Sequence, residues 1–142
     1  MKKLVFTLVC AFALSGYGFS QSTATPAADN KNAPEIVFTS LVHDFGTIPF
    51  DGNGTYEFEF KNTGKEPLVL SEVRASCGCT TPEWPREPIK KGEKAVIKVK
   101  YNTKIVGTFD KNVYVTSNAK TQRVELKIKG TVAANTEKAN NS

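Results

Sequence analysis

The strongest constraint on this chain is an apolar period of two residues. In residues 55–61, aromatic side chains occupy every second position and charged side chains stand between them. Successive side chains of a β-strand point to opposite faces, so this alternation predicts a strand with one buried face and one solvated face. Residues 95–101 and 123–129 repeat the pattern with aliphatic residues. The side chains that we predict to lie in the core are Phe45, Phe58, Phe60, Ile97, Val99, Leu126 and Ile128.

Weaker alternation predicts further strands at residues 35–40, 42–48, 68–75 and 107–116, separated by segments rich in Gly, Asn, Pro and Ser. About seven short strands in roughly 100 residues are typical of an immunoglobulin-like β-sandwich, so the fold class is predicted as all-β. The apolar phase shifts from even positions at Leu70 to odd positions at Val73. A bulge near residues 71–72, or a strand that changes sheets, would absorb the extra residue.

The first 20 residues have the organisation of a secretory signal peptide. Two lysines precede an apolar segment at residues 4–14, and residues 18–20 (GFS) place small side chains where a signal peptidase reads them. Cys10 lies inside the apolar segment and follows Val9, so we expect no lipidation. We predict a signal peptide at 1–20, a flexible leader at 21–34, the sandwich domain at 35–131 and a disordered tail at 132–142. The resulting protein is periplasmic or secreted, with no transmembrane segment in the mature chain.

The charge of the chain excludes little by itself. The 142 residues carry a formal net charge of +5, and removing Lys2 and Lys3 with the signal leaves seventeen basic and fourteen acidic residues. A mature charge of +3 does not require nucleic acid as a partner. We therefore expect the partner to be another cell-envelope protein or polymer.

Three motifs carry a resemblance to a known family. They are HDFGTI at residues 43–48, NTG at 62–64 and ASCGCTTP at 75–82. Together they resemble exported bacterial immunoglobulin-like domains of unknown function, which are similar in turn to Hydin-type and major-sperm-protein-like sandwiches. The resemblance implies a fold and an export route, and it supplies no activity.

The residues of the first two motifs have architectural interpretations. We expect Phe45 to fill the core and Gly46 to permit a close backbone approach. Asn62 and Gly64 are expected to take the positive φ of a tight turn, because these residue types tolerate it.

Cys77-Gly78-Cys79 is the motif whose side chains could bind a metal or react, and four interpretations remain open. The cysteines could be two small buried apolar residues, a disulfide, a redox pair, or a copper or zinc site with His43. In an extended strand their Cα atoms would lie about 6.5 Å apart, near the limit for a disulfide, and a turn at Gly78 would relieve this. We expect the two cysteines to lie side by side, next to the His43 segment.

The enzyme classes are disfavoured. A thioredoxin-like reductase needs a CxxC motif at the start of a helix, and this chain has CxC among strands. His43 is the single histidine, and its commoner role is that of a hydrogen-bonded structural residue. The carboxylates Glu57 and Glu59 fall on the outward face of a strand, where they are ordinary solvated charges.

Residues 80–88 (TTPEWPREP) are rich in proline and contain the single tryptophan. Trp84 is either a lid on the sandwich or a side chain that a stiff loop presents to a sugar or a partner protein. The lysines between positions 90 and 104 form either a solvated strand face or a docking surface for an anionic envelope polymer.

Two functional hypotheses follow from these features. The first is a non-catalytic exported interaction or structural module of the bacterial cell envelope, which needs no cofactor. The alternative is a thiol-based metal-binding protein that holds copper or zinc with Cys77, Cys79 and His43.

Overall fold

A computed structural model describes residues 30–134 of the protein, and these residues form eight β-strands. The predicted signal peptide, residues 21–29 of the predicted leader and residues 135–142 of the predicted tail lie outside the described residues. Within residues 30–134 there is no helix long and apolar enough to cross a membrane. The strands are β1 (Ile36–Phe38), β2 (Val42–Ile48), β3 (Thr55–Asn62), β4 (Leu70–Ala75), β5 (Thr80–Glu83), β6 (Lys94–Tyr101), β7 (Gly107–Ser117) and β8 (Arg123–Val132).

The strands form two four-stranded sheets, with orders β1-β3-β6-β5 and β2-β8-β7-β4. The pair of β2 and β8 is parallel, and the other pairs are antiparallel. Apolar side chains from both sheets meet in one core. The all-β, immunoglobulin-like sandwich that the period of two predicts is therefore confirmed.

The predicted core is confirmed at six of its seven positions. Phe45 differs: it is half-buried, with its ring 6.0 Å from that of Phe109. It lies on the edge strand β2, whose register shifts between Asp44 and Thr47, so it packs at the rim of the core. The six buried residues, each no more than 1% exposed, are Phe58, Phe60, Ile97, Val99, Leu126 and Ile128.

Strand β5 is an addition to the predicted set, because its sequence lies in the proline-rich segment that we interpreted as a loop. Pro82 lies opposite Val99 of β6. An edge strand bonds its neighbour through alternate residues, so a proline is tolerated where its nitrogen faces away from the sheet. At the other end of the chain, β8 runs to the buried Val132, one residue beyond the predicted end of the domain.

The predicted irregularity near residues 71–72 is present as a bulge. Leu70 pairs with Ser117 and Glu72 pairs with Thr116, so Ser71 is the extra residue of β4. The chain also changes sheets a few residues later, between β4 and β5. The bulge and the change of sheet, which were the two features predicted to absorb the phase shift, are therefore both present.

The roles expected for the two motif glycines are exchanged. Gly46 has a φ of +62°, and a Cβ built there meets no atom within 4 Å, so its backbone conformation rather than space favours glycine. Gly64 has no positive φ, but a Cβ there would overlap the backbone of Ala33, Pro34 and Glu35. The close approach therefore occurs at Gly64, where the entering chain crosses the turn after β3.

Asn62 does not take the expected positive φ and is instead a fully buried polar residue. Its Nδ2 donates to the carbonyl oxygens of Glu66 at 2.8 Å and Ile89 at 3.0 Å. Its Oδ1 accepts from the backbone nitrogens of Gly64 at 3.0 Å and Glu35 at 3.3 Å. One side chain thus satisfies four backbone groups from three segments of the chain.

We expect Phe58→Ala to lower the free energy of unfolding by about 3–5 kcal/mol, because it removes a large buried ring and leaves a cavity. Val96→Ala, at a 40% exposed position on the outer face of β6, is the control and should change stability by less than about 0.5 kcal/mol. Urea titration followed by circular dichroism measures both. Equal effects of the two substitutions would contradict the core assignment.

We expect Asn62→Leu to destabilise the fold by at least about 2 kcal/mol, because it leaves buried backbone donors and acceptors without partners. Asn118 offers a matched control, since its side chain also bonds two backbone groups, those of Val69 and Pro67, but lies exposed. Water can replace those bonds, so Asn118→Leu should cost much less in the same unfolding measurement. A similar loss in both variants would contradict the special role of Asn62.

Candidate functional site

The two cysteines lie where the chain passes from one sheet to the other. Strand β4 ends at Ala75 in one sheet, and β5 begins at Thr80 in the opposite sheet. The Ser76 nitrogen donates to the Asn112 carbonyl at 2.8 Å, which is a bond to the first sheet. The Asn102 nitrogen donates to the Cys79 carbonyl at 2.9 Å, next to the start of the β5–β6 pairing. Residues 76–79 therefore form the crossover.

Within the crossover, the chain turns at Gly78 and the cysteines are joined as a disulfide. The Thr80 nitrogen lies 3.4 Å from the Cys77 carbonyl, which closes a turn over four residues. The turn brings the two Cα atoms to 5.3 Å, inside the usual range for a disulfide. Of the four interpretations of the cysteine pair, the structure contains the disulfide, formed through the turn that the spacing requires.

The disulfide is half-buried and has one polar neighbour. Cys79 packs against the core, whereas Gly78 between the two cysteines is exposed. The Thr80 Oγ1 lies 3.8 Å from the sulfur of Cys77 and 3.8 Å from that of Cys79. Thr80 is only 4% exposed, so its hydroxyl is held in place beside both sulfurs.

His43 does not lie beside the cysteines, contrary to our expectation. It is on β2, which is one edge of its sheet, and the cysteines follow β4, which is the other edge. Three strand spacings of about 4.8 Å separate these edges. In the described part of the chain no three His, Cys, Asp or Glu side chains are grouped so that they could hold a metal ion.

His43 is instead part of an aromatic contact between the two sheets. Its ring stacks on Tyr56 with the centroids 3.5 Å apart, and it forms a T-shaped contact with Phe45 with the centroids 4.5 Å apart. Burial lowers the pKa of His43, and the neighbouring Asp44 carboxylate opposes this shift. In the described part of the chain its contacts are therefore aromatic packing rather than the hydrogen bond expected of a structural histidine.

Trp84 combines features of both of its predicted roles. The side chain is half-buried and packs against the core, as a lid would. The guanidinium of Arg86 lies 3.8 Å above the centroid of its ring, a cation–π contact that covers one face. The remaining surface lines a shallow depression with Pro85 and Val96.

Three exposed apolar residues at one end of the sandwich were not predicted from the sequence. Phe50 is 36% exposed, Ile105 is 45% exposed and Val106 is 51% exposed. They lie on the β2–β3 and β6–β7 loops, and we call these three residues the apolar tip. Large apolar side chains inside segments of turn residues were the available signal, since such segments are otherwise polar.

Solved structures with the same architecture place the fold among PapD-like, immunoglobulin-like sandwiches. A protein of unknown function from Porphyromonas gingivalis W83 has a TM-score of 0.66 and 18% identity over 76% of this chain, which spans 51% of that chain. The human CEP192 PapD-like domain 7 has a TM-score of 0.62 and 8% identity over 83% of this chain and 99% of its own. The CsuC–CsuE chaperone–tip adhesion subunit complex of Acinetobacter baumannii has a TM-score of 0.50 and 14% identity over 75% of this chain and 66% of that chain.

The sequence itself matches one family model, over residues 36–132. The chain belongs to that family, described as "Protein of unknown function (DUF1573)". No curated protein sequence matches the chain. The family match covers the whole sandwich, and the P. gingivalis protein is about twice as long as the part that this chain spans.

We expect the folded protein to lose stability between pH 7.5 and pH 5.5 because of His43. A lowered pKa means that the folded state binds the proton less tightly than the unfolded chain, so protonation below about pH 6.5 favours unfolding. Urea titration at the two pH values should show this loss in the natural protein and a smaller one in His43→Gln. Asp44 and Glu59 have lowered pKa values, so their effects fall below this range. An unchanged loss in the variant would contradict the assignment.

Proposed function

We propose that the protein is a non-catalytic interaction module of the bacterial cell envelope, which binds another exported protein through the apolar tip. The observation that carries the proposal is the exposure of three large apolar side chains on two loops that are hydrogen-bonded to each other. Exposed apolar groups with a polar rim are typical of protein–protein contact sites. At the tip, Asp51 and Lys104 supply this rim, with their charged groups 3.9 Å apart.

Hydrogen bonds hold the two loops in one arrangement. The Asp51 nitrogen donates to the Thr103 carbonyl at 3.0 Å, and the Thr103 hydroxyl donates to the Gly52 carbonyl at 2.7 Å. The Ile105 nitrogen in turn donates to the Asn102 carbonyl at 3.2 Å. Because the loops are already ordered, binding loses less conformational entropy than it would with flexible loops.

The sheet edges are less suited to binding than the tip. Each of the four edge strands carries a feature that natural proteins use against strand addition. Strand β1 has three residues, and β5 has four residues with Pro82 among them. Strands β2 and β4 each contain a register shift. A partner that added a strand would meet one of these irregular edges, whereas the tip offers apolar surface directly.

Export to the periplasm or medium, without lipidation, is part of the proposal. It rests on the order of charges and apolar residues in positions 1–20. A chaperone bound to a tip adhesion subunit is among the structures with this fold, which supports protein binding as a use of the architecture. A polymer of the envelope remains the other partner class, with the exposed lysines as its contact.

The metal-binding alternative would require a different state of the cysteines. Copper or zinc binds thiolates, so Cys77 and Cys79 would first have to be reduced. His43 would have to reach them from the opposite edge of the sheet. No observation in residues 30–134 favours this alternative over the interaction module.

The test of the proposed function uses a photo-crosslinking amino acid placed at Ile105. Val37 is the matched control, because it is 49% exposed against 45% for Ile105 and lies near the opposite end of β3. We expect a discrete adduct with one exported protein from position 105 and none from position 37. The adduct, identified by mass spectrometry, gives the partner for a binding measurement with purified proteins.

In that measurement we expect Ile105→Asp to weaken binding about tenfold or more, because a charged carboxylate replaces an apolar side chain that the bound partner would cover. Val37→Asp should leave the affinity unchanged. Both variants must unfold at the same urea concentration as the natural protein. Equal affinity of all three proteins, or equal crosslinking from both positions, would contradict the apolar tip as the binding site.

A further inference from the structure

The Cys77–Cys79 disulfide does little to restrict the unfolded chain. Its sequence separation is two, so the loop that it closes contains three residues. In the chain-entropy account, a disulfide stabilises a protein more when it closes a longer loop. Apolar side chains from both sheets also pack into one continuous core, so this link is not the sole connection between the sheets. The contribution of the disulfide to stability is therefore small.

The disulfide is placed where a thiol from another molecule can approach. Both cysteines are only partly buried, and the exposed Gly78 between them presents no side chain. A Cβ built at Gly78 meets no atom within 4 Å, so the space above the turn is open. Accessible disulfides are those that exchange with external thiols, because the attacking thiolate must reach a sulfur atom.

The two sulfurs are not equivalent. Cys79 packs against the hydrophobic core, whereas Cys77 lies outside the set of side chains that contact it. An incoming thiolate therefore reaches the Cys77 sulfur more easily, and the Cys79 sulfur becomes the leaving group. The Thr80 hydroxyl lies 3.8 Å from both sulfurs, so it can donate a hydrogen bond to the Cys79 sulfur as charge develops there.

We propose that the Cys77–Cys79 disulfide oxidises dithiols of other exported proteins by thiol–disulfide exchange. A substrate thiolate attacks the Cys77 sulfur, the Cys77–Cys79 bond breaks, and Cys79 leaves as a thiolate. The second substrate thiolate then attacks the substrate sulfur of the mixed disulfide and releases Cys77. The substrate loses two electrons and gains a disulfide, and the two substrate protons pass to Cys77 and Cys79. Each protein molecule reacts once, so the step requires no turnover and goes beyond the binding function proposed above.

The first test measures the reduction of the purified protein by dithiothreitol and by reduced glutathione. Free thiols are counted by alkylation and mass spectrometry, and circular dichroism follows the fold. We expect both thiols to appear while the protein stays folded, at a rate within about tenfold of that in guanidinium chloride. A disulfide that reacted only from unfolded molecules would be slowed by about 10³-fold or more. A slowing greater than tenfold would overturn the proposal.

The second test separates the two sulfurs with the single-cysteine variants Cys79→Ser and Cys77→Ser. Cys79→Ser keeps Cys77 and should be alkylated by iodoacetamide at least about fivefold faster than Cys77→Ser, because Cys79 packs against the core. With glutathione disulfide, which releases one glutathione thiolate on attack, Cys79→Ser should form the mixed disulfide on Cys77 faster than Cys77→Ser forms it on Cys79. Equal rates in the two variants would overturn the assignment of the attacked sulfur.

The third test concerns Thr80, which acts through the cysteines as a positioning residue. We expect Thr80→Val to slow the reduction about three- to tenfold, because it removes the hydroxyl beside the leaving sulfur while conserving volume. Thr80→Ser keeps the hydroxyl and should restore the rate. Urea titration of the oxidised variants distinguishes a loss of stability from a loss of reactivity. A slow rate in both variants, or a normal rate in Thr80→Val, would overturn the role of the hydroxyl.

Discussion

The buried side chain of Asn62 is the interaction on which the organisation of one end of the sandwich depends. It binds the backbone where the chain enters β1, the turn that follows β3, and the segment before β6. Backbone hydrogen bonds also join these segments, between Leu68 and Ile89 and between Thr63 and Glu35. The four hydrogen bonds of Asn62 fix their mutual positions further, since each bond has a required geometry and each unsatisfied backbone group would be costly in the core. Gly64 then permits the close approach that this arrangement creates.

At the other end of the fold, β4 and β5 do not form a hairpin, because the chain passes from one sheet to the other between them. The phase shift along β4 and the crossover at residues 76–79 move the chain from one layer to the next within a few residues. Glycine between two cysteines allows the turn, and the turn brings the sulfurs together. The exposure of the disulfide is a consequence of this position, because a crossover between sheets lies at the edge of both and cannot be covered by a neighbouring strand.

The sequence allowed the strands and the core to be predicted where the signal is local. Phe58 and Phe60 alternate with charges, and a period of two needs no knowledge of the partner strand. The bulge at Ser71 could also be predicted from the local sequence, since it appears as a change in the phase of the apolar positions. The place of His43 depended on the order of strands in the sheet, which is a long-range property. Strand β5 was missed because Pro82 argues against a strand unless one knows that the strand lies at an edge.

The two proposed activities concern the same end of the molecule. Asn102 connects them: its nitrogen donates to the Cys79 carbonyl, and its own carbonyl accepts from the Ile105 nitrogen. The disulfide turn and the apolar tip are therefore joined through one residue, although they are distant in sequence. A protein held by Ile105 and Val106 would lie next to the crossover, where its thiols would have a raised local concentration at Cys77. Binding at the tip would then select which dithiols react.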